Sequence, residues 1–337
     1  MKKADFYSFL KAIPKAEIHL HIEAVISKDS IKKLYLKKNG TEFTDAEMKK
    51  LFSYNDLNGF IAAFLKVQDL FTSVDDFDLV FADLQKYIED NGVSYAEVFF
   101  APSAFIKKGF VYGDIMKNFS KNIAKIKKAT GVDVRVLVDV SRTFGLENAE
   151  KNLDMLLANK IPEVIGIGLG GAESKGPCKD FGPVFDRARK NGLKTVAHAG
   201  EDVDAWSIWD ALDVLHSARI GHGITAIQDE KLMERLKTEA IPLEVAPTSN
   251  VFTKKYVPSF DKHPIRAFYD KGLMVTVNTD DPLFFKVNLL DEYWNLHTKL
   301  NFTLDEIKQL VLNSFASTFL PDAEKKAWSD KVEKAWK

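Results

Sequence analysis

Short runs of β-branched and apolar residues return eight times along the 337-residue chain, each closed by turn-forming residues. We read strands over Glu17–Glu23, Ser94–Pro102, Asp133–Val140, Val164–Gly171, Lys194–Glu201, Arg219–Thr225, Pro242–Asn250 and Met274–Pro282. Runs such as VRVLVDV and VIGIGLG are apolar on both faces, as a parallel sheet covered by helices requires. Helix-like stretches lie between them, among them Tyr112–Lys128 and Asp204–Leu215. This alternation predicts an α/β chain folded as one closed (β/α)8 TIM barrel, a single domain over residues 1–337. An open doubly wound sheet is the alternative, but a barrel better gathers polar residues that sit at many strand ends.

The gap from Ala24 to Val93 predicts a helical insertion after the first strand, covering about residues 24–93. Within it, Leu57, Phe60, Ile61 and Phe64 fall at helical spacing and can form an apolar lid, although such a stripe also suits a core. After the last strand, Leu304–Leu320 reads as a closing helix, with Thr303 as N-cap and Glu306 three residues on.

With 47 Lys+Arg against 48 Asp+Glu, the net charge of −1 gives no global field favouring nucleic acid or an anionic membrane. A single cysteine, Cys178, excludes an intrachain disulfide and suggests a reducing compartment. No apolar stretch reaches transmembrane length and no continuous signal-peptide core opens the chain, so the cytoplasm is the expected location. The sequence does not fix an oligomeric state.

Four stretches at strand ends hold the chemistry: His19-Leu20-His21, His198-Ala199-Gly200-Glu201, Gly221-His222-Gly223 and Asn278-Thr279-Asp280-Asp281-Pro282. Residues i and i+2 of a strand share a face, so His19 and His21 can aim two imidazoles at one point. His198 and Asp280 end the fifth and eighth strands, which in a barrel open onto the same face. Three imidazoles and one carboxylate suit a single Zn2+ with a position left for water, although ligand type alone leaves iron, cobalt or manganese open. Such an ion lowers the pKa of its water from 15.7 to about 7.

Glu201 and His222 are the candidate acid and base; the bland alternatives are a helix N-terminal carboxylate and a hydrogen-bonded turn histidine. Asp280 and Asp281 need separate roles, because adjacent carboxylates on an extended strand diverge. We assign Asp281 to a substrate donor or protonated ring nitrogen. VIGIGLGG offers no bridging ligand on strand four, which predicts a mononuclear centre. Gly170 and Gly171 permit close backbone approach to a flat ligand, or simply a sharp turn. His216, His263 and His297 lie outside the motifs and receive no role.

PKAEIHLHIEA, HAGE, IGHG and NTDDP resemble, in order, the motifs of the adenosine deaminase family within the metal-dependent amidohydrolase superfamily. EVAPTSN and NSFASTFL are also family-like, so the resemblance runs from about Pro14 to Pro321. It implies a (β/α)8 barrel with zinc on His19, His21, His198 and Asp280. It further implies that Glu201 protonates purine N1, that His222 orients or deprotonates the bound water and that Asp281 engages N7. Hydroxide then adds at C6 and ammonia leaves. Gly171 would meet N3 through its backbone, and Leu57, Phe60, Ile61 and Phe64 would cover the substrate.

Where the best-known adenosine deaminases carry Asp-Gly, this chain has Glu23-Ala24. The Asp meets the ribose 5′-hydroxyl, whereas Glu is found in relatives acting on adenine or 6-aminodeoxyfutalosine. IGHG rather than IDHG is more typical of nucleoside-acting members. The expected reaction is therefore zinc-dependent deamination of a purine nucleoside, adenosine or 2′-deoxyadenosine, to inosine and ammonia. A 6-aminodeoxyfutalosine deaminase is the alternative. Less favoured are an adenine deaminase, an amidohydrolase of esters or cyclic amides, and a catalytically silent nucleoside-binding protein; a silent binder has no need of a poised acid and base.

Overall fold

The computed structural model describes residues 1–55 and 57–337, and the side chains of Leu57 and Asn58 lie outside the described set. Eight strands form one parallel sheet in sequence order: β1 (Lys15–His21), β2 (Val93–Phe100), β3 (Asp133–Asp139), β4 (Val164–Leu169), β5 (Lys194–Ala199), β6 (Arg219–His222), β7 (Leu243–Val245) and β8 (Val275–Val277). The ring closes where Leu20 bridges Asp280, with His21 N donating to Asp280 O at 2.9 Å and Asp280 N to His19 O at 3.1 Å. The expected (β/α)8 barrel is what the chain forms.

Helices cover the outer face. The outward residues of β1 (Ala16, Ile18, Leu20) and β2 (Ala96, Val98, Phe100) join the large apolar core between barrel and helices. Inward positions of other strands carry charge, unlike the two-sided apolar runs VRVLVDV and VIGIGLG. Lys15, Glu17 and His19 on β1, Tyr95 and Glu97 on β2, Arg219 on β6 and Glu244 on β7 are all buried. A separate small cluster of Phe99, Leu137 and Val196 fills the barrel interior beneath the site, with the Phe99 ring 4.9 Å from that of His19.

Several expected strands end early: Arg219–Thr225 stops at His222 and Met274–Pro282 at Val277, with a helix from Pro282. Pro242–Asn250 was read as extended throughout, but β7 stops at Val245 and a helix occupies Pro247–Thr253. Pro247 lacks an N–H to give to a ladder and its fixed φ suits a helix's first turn, so the apolar run was misleading there. The closing helix runs Leu304–Ala316, and Thr303 and Glu306 form the reciprocal capping box that their spacing predicts.

Between β1 and β2 the chain makes helices Lys28–Asn39, Asp45–Leu51, Leu57–Asp69 and Phe77–Asn91. Phe60 and Phe64 pack on Phe284 with centroids 5.6 and 5.3 Å apart, and Phe284 follows directly from the β8 loop. Helix Leu57–Asp69 therefore leans on the loop that carries Asp280 and Asp281. Ile61 instead turns outward and is 38% exposed. No helix among the described residues is long and apolar enough to cross a membrane.

Candidate metal and acid–base centre

The strand-end histidines meet at the C-terminal mouth of the barrel. His21 Nε2 lies 3.2 Å from His198 Nε2 and 3.2 Å from Asp280 Oδ1, and His19 Nε2 lies 3.4 Å from the same oxygen. The ring of His222 is 4.9 Å from that of His19 and 5.2 Å from that of His198. One glycine makes this packing possible: a Cβ on Gly221 would stand 2.8 Å from His19 Cε1.

Whether this set fits a metal ion can be judged from its own polar atoms. His19 Nδ1 lies 2.7 Å from Glu244 Oε2, so its proton sits there and its Nε2 lone pair points at the Asp280 carboxylate. His19 Nε2 and Asp280 Oδ1 are both buried and neither finds a hydrogen-bond donor. Lone pairs of several imidazoles converge with a carboxylate oxygen, an arrangement that asks for a cation. Burial would push the His19 imidazolium down, yet the Asp280 and Glu244 carboxylates outweigh it and raise its pKa. One divalent ion fits this donor set, which is rich in imidazole nitrogen.

The surrounding residues fix these ligands, and most escaped the sequence reading. Ser249 Oγ donates to Asp280 Oδ2 at 2.7 Å, which leaves Oδ1 for the imidazoles. Glu244 is held by buried Arg219, whose Nε is 2.5 Å from Glu244 Oε1 and whose Nη2 is 2.6 Å from Glu97 Oε2. Glu17 accepts from Thr279 N and Oγ1 at 3.0 and 2.6 Å, tying the β8 loop to β1. Asp280 itself sits at φ 64° and His222 at φ 61°, left-handed conformations that L-residues adopt only when surroundings impose them. The available signal was a charge inside an otherwise apolar strand, as at Glu17, Glu97, Arg219 and Glu244.

The candidate proton carriers lie beside the cluster. Burial, reinforced by the charges of Asp280 and Glu173, holds the Glu201 carboxyl well above the usual carboxylate range. Its Oε2 is 3.4 Å from His222 Nε2, and burial pushes the His222 pKa down to about 3. Glu173, which the sequence reading passed over, secures the turn bearing Glu201. Its carboxylate accepts from Gly200 N (2.8 Å), Glu201 N (2.9 Å), Asp202 N (2.7 Å) and Ser207 Oγ (2.7 Å). Asp281 offers an oxygen within 4.8 Å of ligand atoms of His21 and Asp280, and burial together with the Asp280 charge raises its pKa strongly.

Glu23 follows β1 in a short turn and is also buried. Its Oε1 accepts from Ala101 N at 2.9 Å, while Oε2 has no hydrogen-bond partner among the described residues. Gly171 has φ 100°, and a Cβ there would meet Thr143 Oγ1 at 2.3 Å, so glycine is needed to bring this strand end past the β3 loop. Of the four expected lid residues, Phe60 and Phe64 lean on the β8 loop and Ile61 does not. Leu57 lies outside the described side chains.

A closed barrel with a buried imidazole, a raised-pKa carboxyl and a cluster that could hold one ion at its mouth fits a hydrolase of the amidohydrolase type. The family model for adenosine deaminase matches residues 14–335. The chain is 34% identical over 330 residues to a protein named adenine deaminase from Psychrobacter cryohalolentis, covering 97% of this chain and 98% of that one. A namesake from Pseudomonas savastanoi pv. phaseolicola is 37% identical over 314 residues, with 91% and 97% covered. The crystal structure of adenine deaminase from Arthrobacter aurescens superposes with a TM-score of 0.90 at 32% identity, over 96% of this chain and 98% of that one. An amidohydrolase from Burkholderia ambifaria with bound Zn gives a TM-score of 0.91 at 25% identity, over 98% and 93%. The chain belongs to the adenosine deaminase family and is a hydrolase acting on C–N bonds.

Proposed function

We propose that this enzyme replaces the amino group at C6 of a 6-aminopurine by oxygen from water, releasing ammonia. The observation that carries this reading is the meeting, at one largely buried mouth, of His19, His21, His198 and Asp280 with Glu201, His222 and Asp281. His19, His21, His198 and Asp280 would hold one Zn2+, a choice supported by the zinc-bearing amidohydrolase relative. When bound, that ion supplies Lewis acidity and a water acidic enough to give a nucleophile near neutral pH.

The protein's own groups do the rest. Glu201, kept protonated by burial, donates its proton to ring N1, so that C6 becomes electrophilic. His222 faces the same side and orients the attacking oxygen. Asp281 accepts or shares a proton at N7, and the strand end at Gly171 lies against the flat ring. Phe60 and Phe64, through Phe284, restrain the loop bearing Asp281 and help exclude water.

For substrate we favour free adenine, because the named relatives cover nearly the whole chain and are adenine deaminases. Glu23 supports this: a buried carboxylate with one free oxygen suits a ring N–H donor. A second reading, adenosine or 2′-deoxyadenosine, is favoured by Gly221, where IGHG is the form typical of nucleoside-acting members. Side-by-side kcat/KM values for adenine, adenosine, 2′-deoxyadenosine and 6-aminodeoxyfutalosine with the zinc-loaded enzyme decide between them. Absence of ammonia release from all four would remove the reading.

A further inference from the structure

His263 is buried in the loop after β7, outside every motif, yet it is joined to the centre by an unbroken hydrogen-bonded chain. We propose that His263 is a positioning residue that selects the tautomer of His222 through Asn250, so that neutral His222 meets the reacting groups as a hydrogen-bond donor. This rests on the role given to His222 above.

The direction of the chain is set at its far end by a group that can only donate. Ile265 N–H donates to His263 Nδ1 at 3.0 Å, which makes Nδ1 an acceptor and puts the ring proton on Nε2. His263 Nε2–H then donates to the carbonyl oxygen Oδ1 of Asn250 at 3.3 Å. A carboxamide presents oxygen on one side and NH2 on the other, so Nδ2 faces His222 Nδ1, 3.1 Å away. His222 Nδ1 must accept. Its single proton therefore lies on Nε2, on the side of Glu201 Oε2 at 3.4 Å.

Each member is buried, with relative exposures of 4% for His263, 0% for Asn250 and 1% for His222, so bulk water does not compete for these bonds. A backbone amide cannot reverse its polarity, and the order of donors follows from it along the whole relay. With Nε2–H directed at the reacting side, His222 holds an oxygen in place and does not take its proton. Without the relay, Asn250 can turn over and both tautomers of His222 become accessible. Second partners of this kind fix ring orientation elsewhere, and their loss typically costs about 10- to 100-fold.

The test uses full-length, zinc-loaded protein with 15N-labelled histidine, the His222 signals being assigned by their loss in His222→Gln. Wild type should carry its proton on Nε2 with Nδ1 bare. His263→Leu should mix the tautomers and lower kcat by about 10- to 100-fold with KM little changed. His263→Gln, whose carboxamide can still donate to Asn250, should restore most of both readings. A proton on Nδ1 in the wild type overturns the proposal, and so does a His263→Leu protein with unaltered signals and kcat. If His263→Leu does not fold, Asn250→Asp carries the test: an acceptor facing His222 should draw the proton to Nδ1, and a proton still on Nε2 overturns it. Full turnover by His222→Gln would instead defeat the functional role of His222, while the nitrogen signals still judge the relay.

Discussion

At the scale of single residues, the centre depends on carboxylates kept in different states a few ångströms apart. Asp280 is held well below the usual carboxylate range despite its burial, because His19 and His21 face it, whereas burial holds the Glu201 carboxyl well above that range. Glu201→Gln should thus leave zinc content and substrate binding intact and lower kcat by about 10²- to 10⁴-fold, measured by ammonia release. Glu244→Gln removes the charge that fixes the His19 proton on Nδ1 and leaves Arg219 facing only one carboxylate. It should weaken zinc binding by about 10- to 100-fold in a chelator competition, with the loaded fraction still active. The four motif histidines, Glu201, Asp280 and Asp281 were all legible as a set, since each is an ionisable residue at the end of an apolar run. Ser249, Asn250, Glu173 and His263 were not: each bonds a residue 13 or more positions away, Glu173 four times over, and nothing local marks those bonds.

At the scale of elements, strand positions were readable because two-sided apolar runs are rare outside a covered sheet, and all eight were found. The inside of the barrel was not. Alternation in KAEIHLH carries charges inward, and no period can say whether a charge within a strand faces solvent or a buried partner such as Arg219. Capping was the most local signal and the most faithful. Thr303→Ala should destabilise the helix Leu304–Ala316 by about 1 kcal/mol, read as a lowered midpoint in urea. Glu306, the partner in that box, also pairs with Arg266, whose hydrogen bonds lower its pKa from 4.5 to about 2. A carboxyl depressed in the folded state stabilises above its unfolded pKa and loses that contribution as the folded value is approached. The stability advantage of wild type over Glu306→Gln should accordingly shrink as pH falls from 4.5 toward 2, and a constant difference would exclude the ion pair as its source. The pair is partly exposed, so its share is about 0.2–1 kcal/mol.

At the scale of the whole molecule, the histidine–aspartate cluster exists only in the assembled barrel, so an ion held there would couple binding to folding. An ion that binds the native state alone adds RT ln(1 + [L]/Kd), about 4 kcal/mol at a thousandfold excess over Kd. Chelation should therefore lower Tm markedly while leaving the far-ultraviolet spectrum of the cold protein unchanged. We expect unfolding by tryptophan fluorescence and by circular dichroism to coincide, as one cooperative unit over residues 1–337 requires; separated transitions would divide the chain into independent parts.

The ring is sealed where Leu20 meets Asp280, and both sides of that seam supply groups to the cluster: His19 and His21 from one, Asp280 from the other. A chain emerging from a ribosome holds the two imidazoles early but must wait some 260 residues for the aspartate that completes them. A cation held there would thus be acquired late in biogenesis, and its retention would clasp the finished hoop. Any lesion that loosens the seam should be felt as metal leakage before it is felt as loss of helix.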